Sequence, residues 1–240
     1  MEQQNNYSSQ HKGQLKIFFG YAAGVGKTYA MLDAAHTEKK HGTDVVVGYI
    51  RPDAPVHTRN LMSDLETLPL LHSEHNGIPV SEFDLDAAIK RHPDLILIDE
   101  LAHTNADGCR HQKRYQDVRE LLTAGIDVYT TVNVQNIESL NDTVASITGI
   151  MVEERIPDFL FDEADQVKLV DIEPQELIER LEAENTGSCP DSSNITFTIE
   201  NLTALREISL RRCADRVNKL TEASRIKNKG CLLYTSPSPR

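Results

Sequence analysis

The run Leu15-Lys16-Ile17-Phe18-Phe19 ends at Gly20 and passes through Tyr21-Ala22-Ala23-Gly24-Val25-Gly26-Lys27-Thr28-Tyr29 into a stretch with Met31, Leu32 and Ala35 at helical spacing. An apolar strand, a glycine-rich turn and a helix in that order restrict the chain to few architectures, and Gly-Lys-Thr at the helix start gives the turn the pattern of a phosphate-binding loop. Gly24 and Gly26 let the backbone curl so that successive N–H groups converge on phosphate oxygens, while the helix N-terminus adds partial positive charge. Lys27 is expected to reach the β and γ phosphates of a nucleoside triphosphate, ATP above all, and Thr28 to offer its hydroxyl to magnesium. Gly20, Ala23, Val25 and Tyr29 complete the expected nucleotide-contacting set. The usual pattern has glycine six residues before the lysine, where this chain has Tyr21 with Gly20 one step earlier, so the entry turn is expected to be atypical.

Three further apolar runs, Asp44 to Ile50, Leu95 to Ile98 and Asp127 to Val132, read as strands buried on both faces. Between them lie helical patterns at Val56 to Leu65, Leu85 to Lys90, Tyr115 to Leu122 and Ile137 to Ile147. Alternating strand and helix imply an α/β fold, a three-layer sandwich like that of P-loop NTPases with a mostly parallel central sheet, followed by a C-terminal helical extension. The expected division is a nucleotide-binding domain at 15–150, an acidic extension at 151–184 packing on it, a linker at 185–200, an amphipathic helix at 201–220 and a disordered tail at 221–240.

Leu95-Ile96-Leu97-Ile98-Asp99-Glu100 supplies the second half of the expected site. An apolar strand delivers carboxylates at its C-terminal end, where open α/β sheets bind ligands. Asp99, on the strand neighbouring the loop's own, is expected to hold magnesium through water. Glu100 is placed to polarise a water or hydroxyl as a general base would, or to serve as a supporting partner. Asn133 and Gln135 after the fourth run would either sense the γ phosphate or cap the next helix. The loop from His103 to Arg114 has a basic end whose Arg110 or Arg114 would contact phosphate through a guanidinium fork, or be solvated. His103, Cys109 and His111 lack the paired spacing and fourth ligand of a zinc site.

The chain carries a net charge of −12, but twelve of its acidic residues against three basic ones fall between Glu153 and Glu184, so the acidity is local. That balance leaves no basic footprint for wrapping nucleic acid. Four scattered cysteines fit free thiols in a reducing, cytoplasmic setting, and no run is long enough to cross a bilayer. Asp171 to Leu181 reads as a helix with Pro174 in its first turn. Asn201 to Leu220 reads as an amphipathic helix capped by Asn201, with Leu202, Leu205, Ser209, Cys213, Val217 and Leu220 on one face. Its basic residues read as a solvated surface, with docking on the preceding acidic stretch as the alternative.

Gly20 to Leu32, Asp44 to Tyr49, Leu95 to Thr104, Arg110 to Arg114, Ala124 to Gln135, Glu138 to Asp142 and Asn201 to Glu207 together resemble the N-terminal domain of the KdpD family of potassium-responsive sensor histidine kinases. Asp-Glu-Leu-Ala-His-Thr-Asn, Asp99 to Asn105, is the most specific of these stretches. The resemblance implies an ATP-binding regulatory domain in a two-component phosphorelay controlling potassium uptake. It also implies downstream partners in the longer protein: membrane spans, a histidine kinase core and a response regulator. A different reading of the same motifs is a small-molecule kinase or slow ATPase similar to thymidine kinases, with Glu100 as base.

Overall fold

The structure is a computed structural model and describes residues 12–75, 78–184 and 198–232. Six strands form one parallel sheet: β1 (Leu15–Gly20), β2 (Val45–Tyr49), β3 (Glu66–Thr67), β6 (Leu95–Ile98), β7 (Asp127–Asn133) and β8 (Gln166–Leu169), in the order β3-β2-β6-β7-β1-β8. Two more strands, β4 (Leu71–His75) and β5 (Ile78–Glu82), pair antiparallel as a separate two-stranded sheet. The four strands read from the apolar runs are all present. The short, polar strands β3, β4, β5 and β8 are additions, and β8 carries part of the acidic stretch into the main sheet beside β1.

Alternation along the strands builds two cores. Ile17, Phe19, Val46, Ile96, Ile98 and Val128 fill one side of the sheet, and Phe18, Val45, Val47, Leu95 and Leu97 fill the other. Helix α1 (Lys27–Lys40) covers the second side with Met31, Leu32 and Ala35, and α4 (Arg114–Thr123) covers the first with Val118, Leu121 and Leu122. This two-sided burial is why β6 is apolar at every position and β2 carries no charged residue.

One irregularity interrupts β2. Its pairing with β6 shifts register between Val47 and Tyr49, as at a β-bulge. Gly48 sits there because a Cβ would stand 2.8 Å from Phe83 and 2.9 Å from Ile96. The bulge brings Tyr49 into the same core as Val46, and Ile50 into the core of Val45 and Val47.

Helix α2 (Val56–Asn60) is shorter than its pattern suggested, and α3 (Leu85–Arg91) starts at Asp84, whose side chain accepts from the Ala87 N–H at 2.9 Å. A 3-10 turn at Val134–Asn136 precedes the expected helix at Ile137 to Ile147, and a second at Glu138–Leu140 replaces its first part, leaving α5 (Asn141–Thr148). α6 (Asp158–Glu163) precedes β8, and α7 (Pro174–Glu184) begins at the expected proline.

The last helix, α8 (Ile199–Leu232), runs on through residues 221–232, where a disordered tail was expected, and differs from its expectation in three further ways. Thr198 caps it, its hydroxyl accepting from the Asn201 N–H at 3.2 Å, in place of Asn201. Leu202, Leu205 and Ser209 are buried, but the seam continues through Arg212 and Arg216, while Val217 and Leu220 are 60% and 46% exposed. The basic face docks on the acidic stretch. Arg206 pairs with Asp171 and Glu173 at 2.7 and 2.6 Å, Arg212 with Asp162 at 2.7 Å, and Arg216 donates to the Phe161 and Ala164 carbonyls at the end of α6. The linker expected at 185–200 lies outside the described residues up to 197, as does the tail from 233 onward. Among the described residues no helix is long and apolar enough to cross a membrane.

Candidate functional site

The main strands deliver their carboxyl ends to one edge of the sheet. In register, Gly20 at the end of β1 lies beside Asn133 at the end of β7, and Asp99 follows Ile98, which pairs with Thr130. A cleft of ≈ 660 Å³ opens along this edge, lined by Ala23 to Ala30, by Asp99, Glu100, Thr131 and Asn133, and by parts of the 51–58 segment and α7. Its size suits a small organic ligand.

Gly24 and Gly26 have φ of 85° and 94°, the left-handed conformation that side chains other than glycine rarely tolerate. They turn the chain from β1 into α1, which opens at Lys27 with no side-chain cap, so the N–H groups of a first turn that lines the cleft are left to other partners. Gly20 does not line the cleft. A Cβ there would stand 2.7 Å from Val25 and 3.1 Å from Lys27, so the missing side chain makes room for the loop to fold back. Tyr21 fits for a related reason: its ring is fully buried and its hydroxyl donates to the Ile172 carbonyl at 3.2 Å, tying the loop's entry to the segment before α7. Burial, with Asp171 nearby, pushes the Tyr21 hydroxyl up to about 12.

Lys27 is buried and donates to the Ala22 carbonyl at 2.8 Å. Burial pulls its ammonium down to about 8, with Asp99 and Glu100 opposing that shift. The Thr28 hydroxyl donates to Asp99 Oδ2 at 3.0 Å. Asp99 is only 2% exposed, and its other oxygen accepts from the Thr131 hydroxyl and from the Glu100 N–H. The loop strand and the Asp99 strand are not neighbours, as the sequence suggested, because β7 lies between them. Thr131 on that intervening strand bridges the gap, since its hydroxyl also accepts from the Glu100 N–H at 3.1 Å.

Glu100 has φ of 59° without being glycine, a conformation costing on the order of 1–2 kcal/mol. The two hydrogen bonds to its N–H hold that peptide in place. Burial raises the Glu100 carboxyl above its usual range, and the Asp99 charge adds to the rise. Arg51 Nη1 lies 3.4 Å from it.

The basic end of the 103–114 loop is placed elsewhere. Arg114 is fully buried, pairs with Glu82 at 2.9 Å, donates to the Asp99 carbonyl at 3.2 Å and lies 3.9 Å from the Tyr49 ring centre. It props the Asp99 strand end and does not line the cleft. Arg110 pairs with Asp86 and Glu120 outside it. Gln135 lies in the 3-10 turn after β7 and is likewise not part of the lining, whereas Asn133 is, with its buried Oδ1 unpartnered. His103 sits between Glu82 and Glu154; burial alone would lower its pKa, but the hydrogen bonds to Glu154 and Glu82 outweigh that and raise it to about 9. His111 pairs with Glu120.

Two cationic residues of the cleft escaped the sequence reading, Arg51 and Arg180. Arg51 follows the end of β2, a position where α/β sheets commonly meet ligands, and that signal was legible. Arg180 arrives on α7, more than 150 positions from the loop, with no local motif to mark it.

The sequence profile of the osmosensitive K+ channel His kinase sensor domain, KdpD, matches residues 11–217. Sensor protein KdpD of Clostridium acetobutylicum is 54% identical over 221 residues, which cover 91% of this chain and 25% of that protein. Sensor protein KdpD of Escherichia coli K12 is 50% identical over the same share of each. A putative sensor protein KdpD of Synechocystis is 45% identical over 87% of this chain and 57% of its own length. The chain thus spans about a quarter of the first two relatives. With a matched profile across most of its length and half its residues shared with these relatives, the chain belongs to the KdpD sensor-domain family.

Proposed function

We propose that this chain binds ATP with magnesium in the cleft between the 20–28 loop and the carboxyl ends of β6 and β7. In that reading it is the cytoplasmic, nucleotide-responsive regulatory domain of a KdpD-like sensor histidine kinase, with a response regulator as the longer protein's partner and potassium uptake as its output. Membership of a family of His kinase sensor domains supports the regulatory half of the reading.

The observation that carries the nucleotide half is the bond from the Thr28 hydroxyl to Asp99 at 3.0 Å. A hydroxyl that gives its proton to a buried carboxylate keeps its lone pairs for a hard cation, and magnesium takes oxygen ligands of this kind. The residues present therefore fit the metal, Thr28 as ligand and Asp99 through water. When bound, the ion would neutralise charge on the β and γ phosphates. Lys27 would leave the Ala22 carbonyl for those phosphates, and the uncapped first turn of α1 would hold them by N–H groups. Arg114 and Thr131 would keep Asp99 in position.

Calorimetry with MgATP, wild type against Lys27→Ala, tests the reading. Binding by the wild type with at least tenfold loss in the variant is expected; equal binding, or none by either, overturns it.

A second reading, slow hydrolysis or phosphoryl transfer, draws on Glu100, whose raised pKa and place in the cleft suit a general base. Turnover separates the two. Transfer to nucleosides or sugars at ordinary enzyme rates, about 1 per second or faster, would displace the regulatory reading.

A further inference from the structure

We infer that Arg180 is a phosphate-contacting residue, delivered by α7 over the crest of the 20–28 loop to the polyphosphate tail of the nucleotide. The inference rests on the ATP reading above and names a residue from a separate element as part of that site.

Helix α7 is seated on the loop. A Cβ on Gly24 would stand 3.0 Å from Leu177 and 3.1 Å from Leu181, so the helix packs against the crest at the residue whose φ of 85° already demands glycine. One turn of α7 separates these two leucines, and Arg180 lies on the same stripe. Its guanidinium lines the cleft, with Nη1 3.5 Å from the Gly24 carbonyl and 3.8 Å from where a Gly26 Cβ would be. Any ligand cradled by the backbone of Gly24 to Lys27 would therefore come within reach of this side chain.

The partners Arg180 now has are weak ones. The carbonyl contact is at the outer limit of a hydrogen bond, and the Nη2 pair with Glu176 at 3.1 Å is an exposed one-turn helix pair, an arrangement that contributes little to stability. The other two Lys or Arg side chains lining the cleft among the described residues are more committed: Lys27 is buried on the Ala22 carbonyl, and Arg51 pairs with Asp53 and Glu100. Arg114 is held by Glu82 below the cleft. A triphosphate carries more negative charge than Lys27 and a single divalent ion offset, and a guanidinium keeps its charge and offers a forked donor.

The base of α7 is anchored as well. Arg206 of α8 grips Asp171 and Glu173, and the Tyr21 hydroxyl reaches the Ile172 carbonyl. Engagement of Arg180 by phosphate would thus be felt along a connected path from the loop through α7 to α8.

The test uses the whole chain with MgATP and with magnesium tripolyphosphate, which carries the anionic tail alone. Arg180→Ala is expected to bind both about tenfold more weakly with an unchanged melting temperature in the absence of ligand, and Arg180→Lys to fall between, as a point charge without a fork. Should Arg180→Ala bind both ligands as the wild type does while Lys27→Ala binds neither, the arginine contact is refuted and the loop reading stands. A loss seen with MgATP but not with tripolyphosphate also refutes it, since the residue would then act away from the phosphates. If the wild type binds neither ligand, the ATP reading fails and the inference with it.

Discussion

The Thr28 hydroxyl and the Asp99 carboxylate meet at 3.0 Å although their strands are not adjacent in the sheet. The intervening β7 would hold the two halves apart were it not for Thr131, which bonds the second Asp99 oxygen from below and the Glu100 N–H beside it. Asp99 therefore has one oxygen committed to the scaffold and one turned toward the loop. Asp99→Asn should leave the fold intact but remove the magnesium dependence of ATP binding, so that affinities with magnesium and with a chelator converge. Retention of a tenfold magnesium effect in this variant would remove Asp99 from the metal's surroundings.

Lys27 is costly to the protein without ligand. Unfolded, its ammonium keeps its proton up to the ordinary value of 10.5; folded, burial pulls that value to about 8. Between those pH values the unfolded chain binds more protons, so stability attributable to this group rises with pH across the window, and below it the whole penalty stands. Lys27→Met should accordingly be more stable than the wild type at pH 7, on the order of 1–3 kcal/mol, while losing ATP. The gap should narrow as the pH is raised toward 10. Denaturant melts of both proteins across that range check it, and a gap that stays constant with pH would show that the ammonium's desolvation is not its source.

Arg114 and Glu82 form a pair with 0% and 5% of their side chains exposed. Removing one partner strands the other charge in the core. Arg114→Met should therefore cost roughly 3–5 kcal/mol in urea unfolding, and the double variant Arg114→Met with Glu82→Gln clearly less. Additive losses would mean that the two residues contribute independently.

Glu100 separates binding from turnover. Glu100→Gln should bind MgATP within a few-fold of the wild type, while any slow hydrolysis falls by about 10²–10⁴. Release of labelled phosphate measures this directly; hydrolysis that survives the substitution would take the base role away from Glu100.

The sheet was legible because its central strands are buried on both sides and so read as largely apolar runs, Leu95 to Ile98 above all. β8 was not, since Gln166-Val167-Lys168-Leu169 is an edge strand whose alternate residues face water, and β3 is two exposed residues long. That the loop and Asp99 meet at one cleft was legible for a different reason: each is carried by a few consecutive residues at the end of an apolar strand. Arg114 is neither the phosphate contact nor the solvated residue that its sequence allows, because charge alone does not reveal a buried carboxylate 32 positions earlier, at Glu82. The seam of α8 misled in the opposite sense. Val217 and Leu220 continue the apolar spacing, yet the facing surface is α6, whose Asp158 and Asp162 and terminal carbonyls call for Arg212 and Arg216 instead.

The bulge at Gly48 decides where Tyr49 goes, and so what Arg114 can rest on. Strand side chains obey an odd-and-even rule, and one unpaired residue resets the count. Were Gly48 paired in regular register instead, Tyr49 and Ile50 would trade sides, turning the aromatic ring toward the core of Met31 and the aliphatic chain toward the guanidinium. The firmness of the Asp99 strand end is thus a matter of parity, settled by a glycine that touches no ligand.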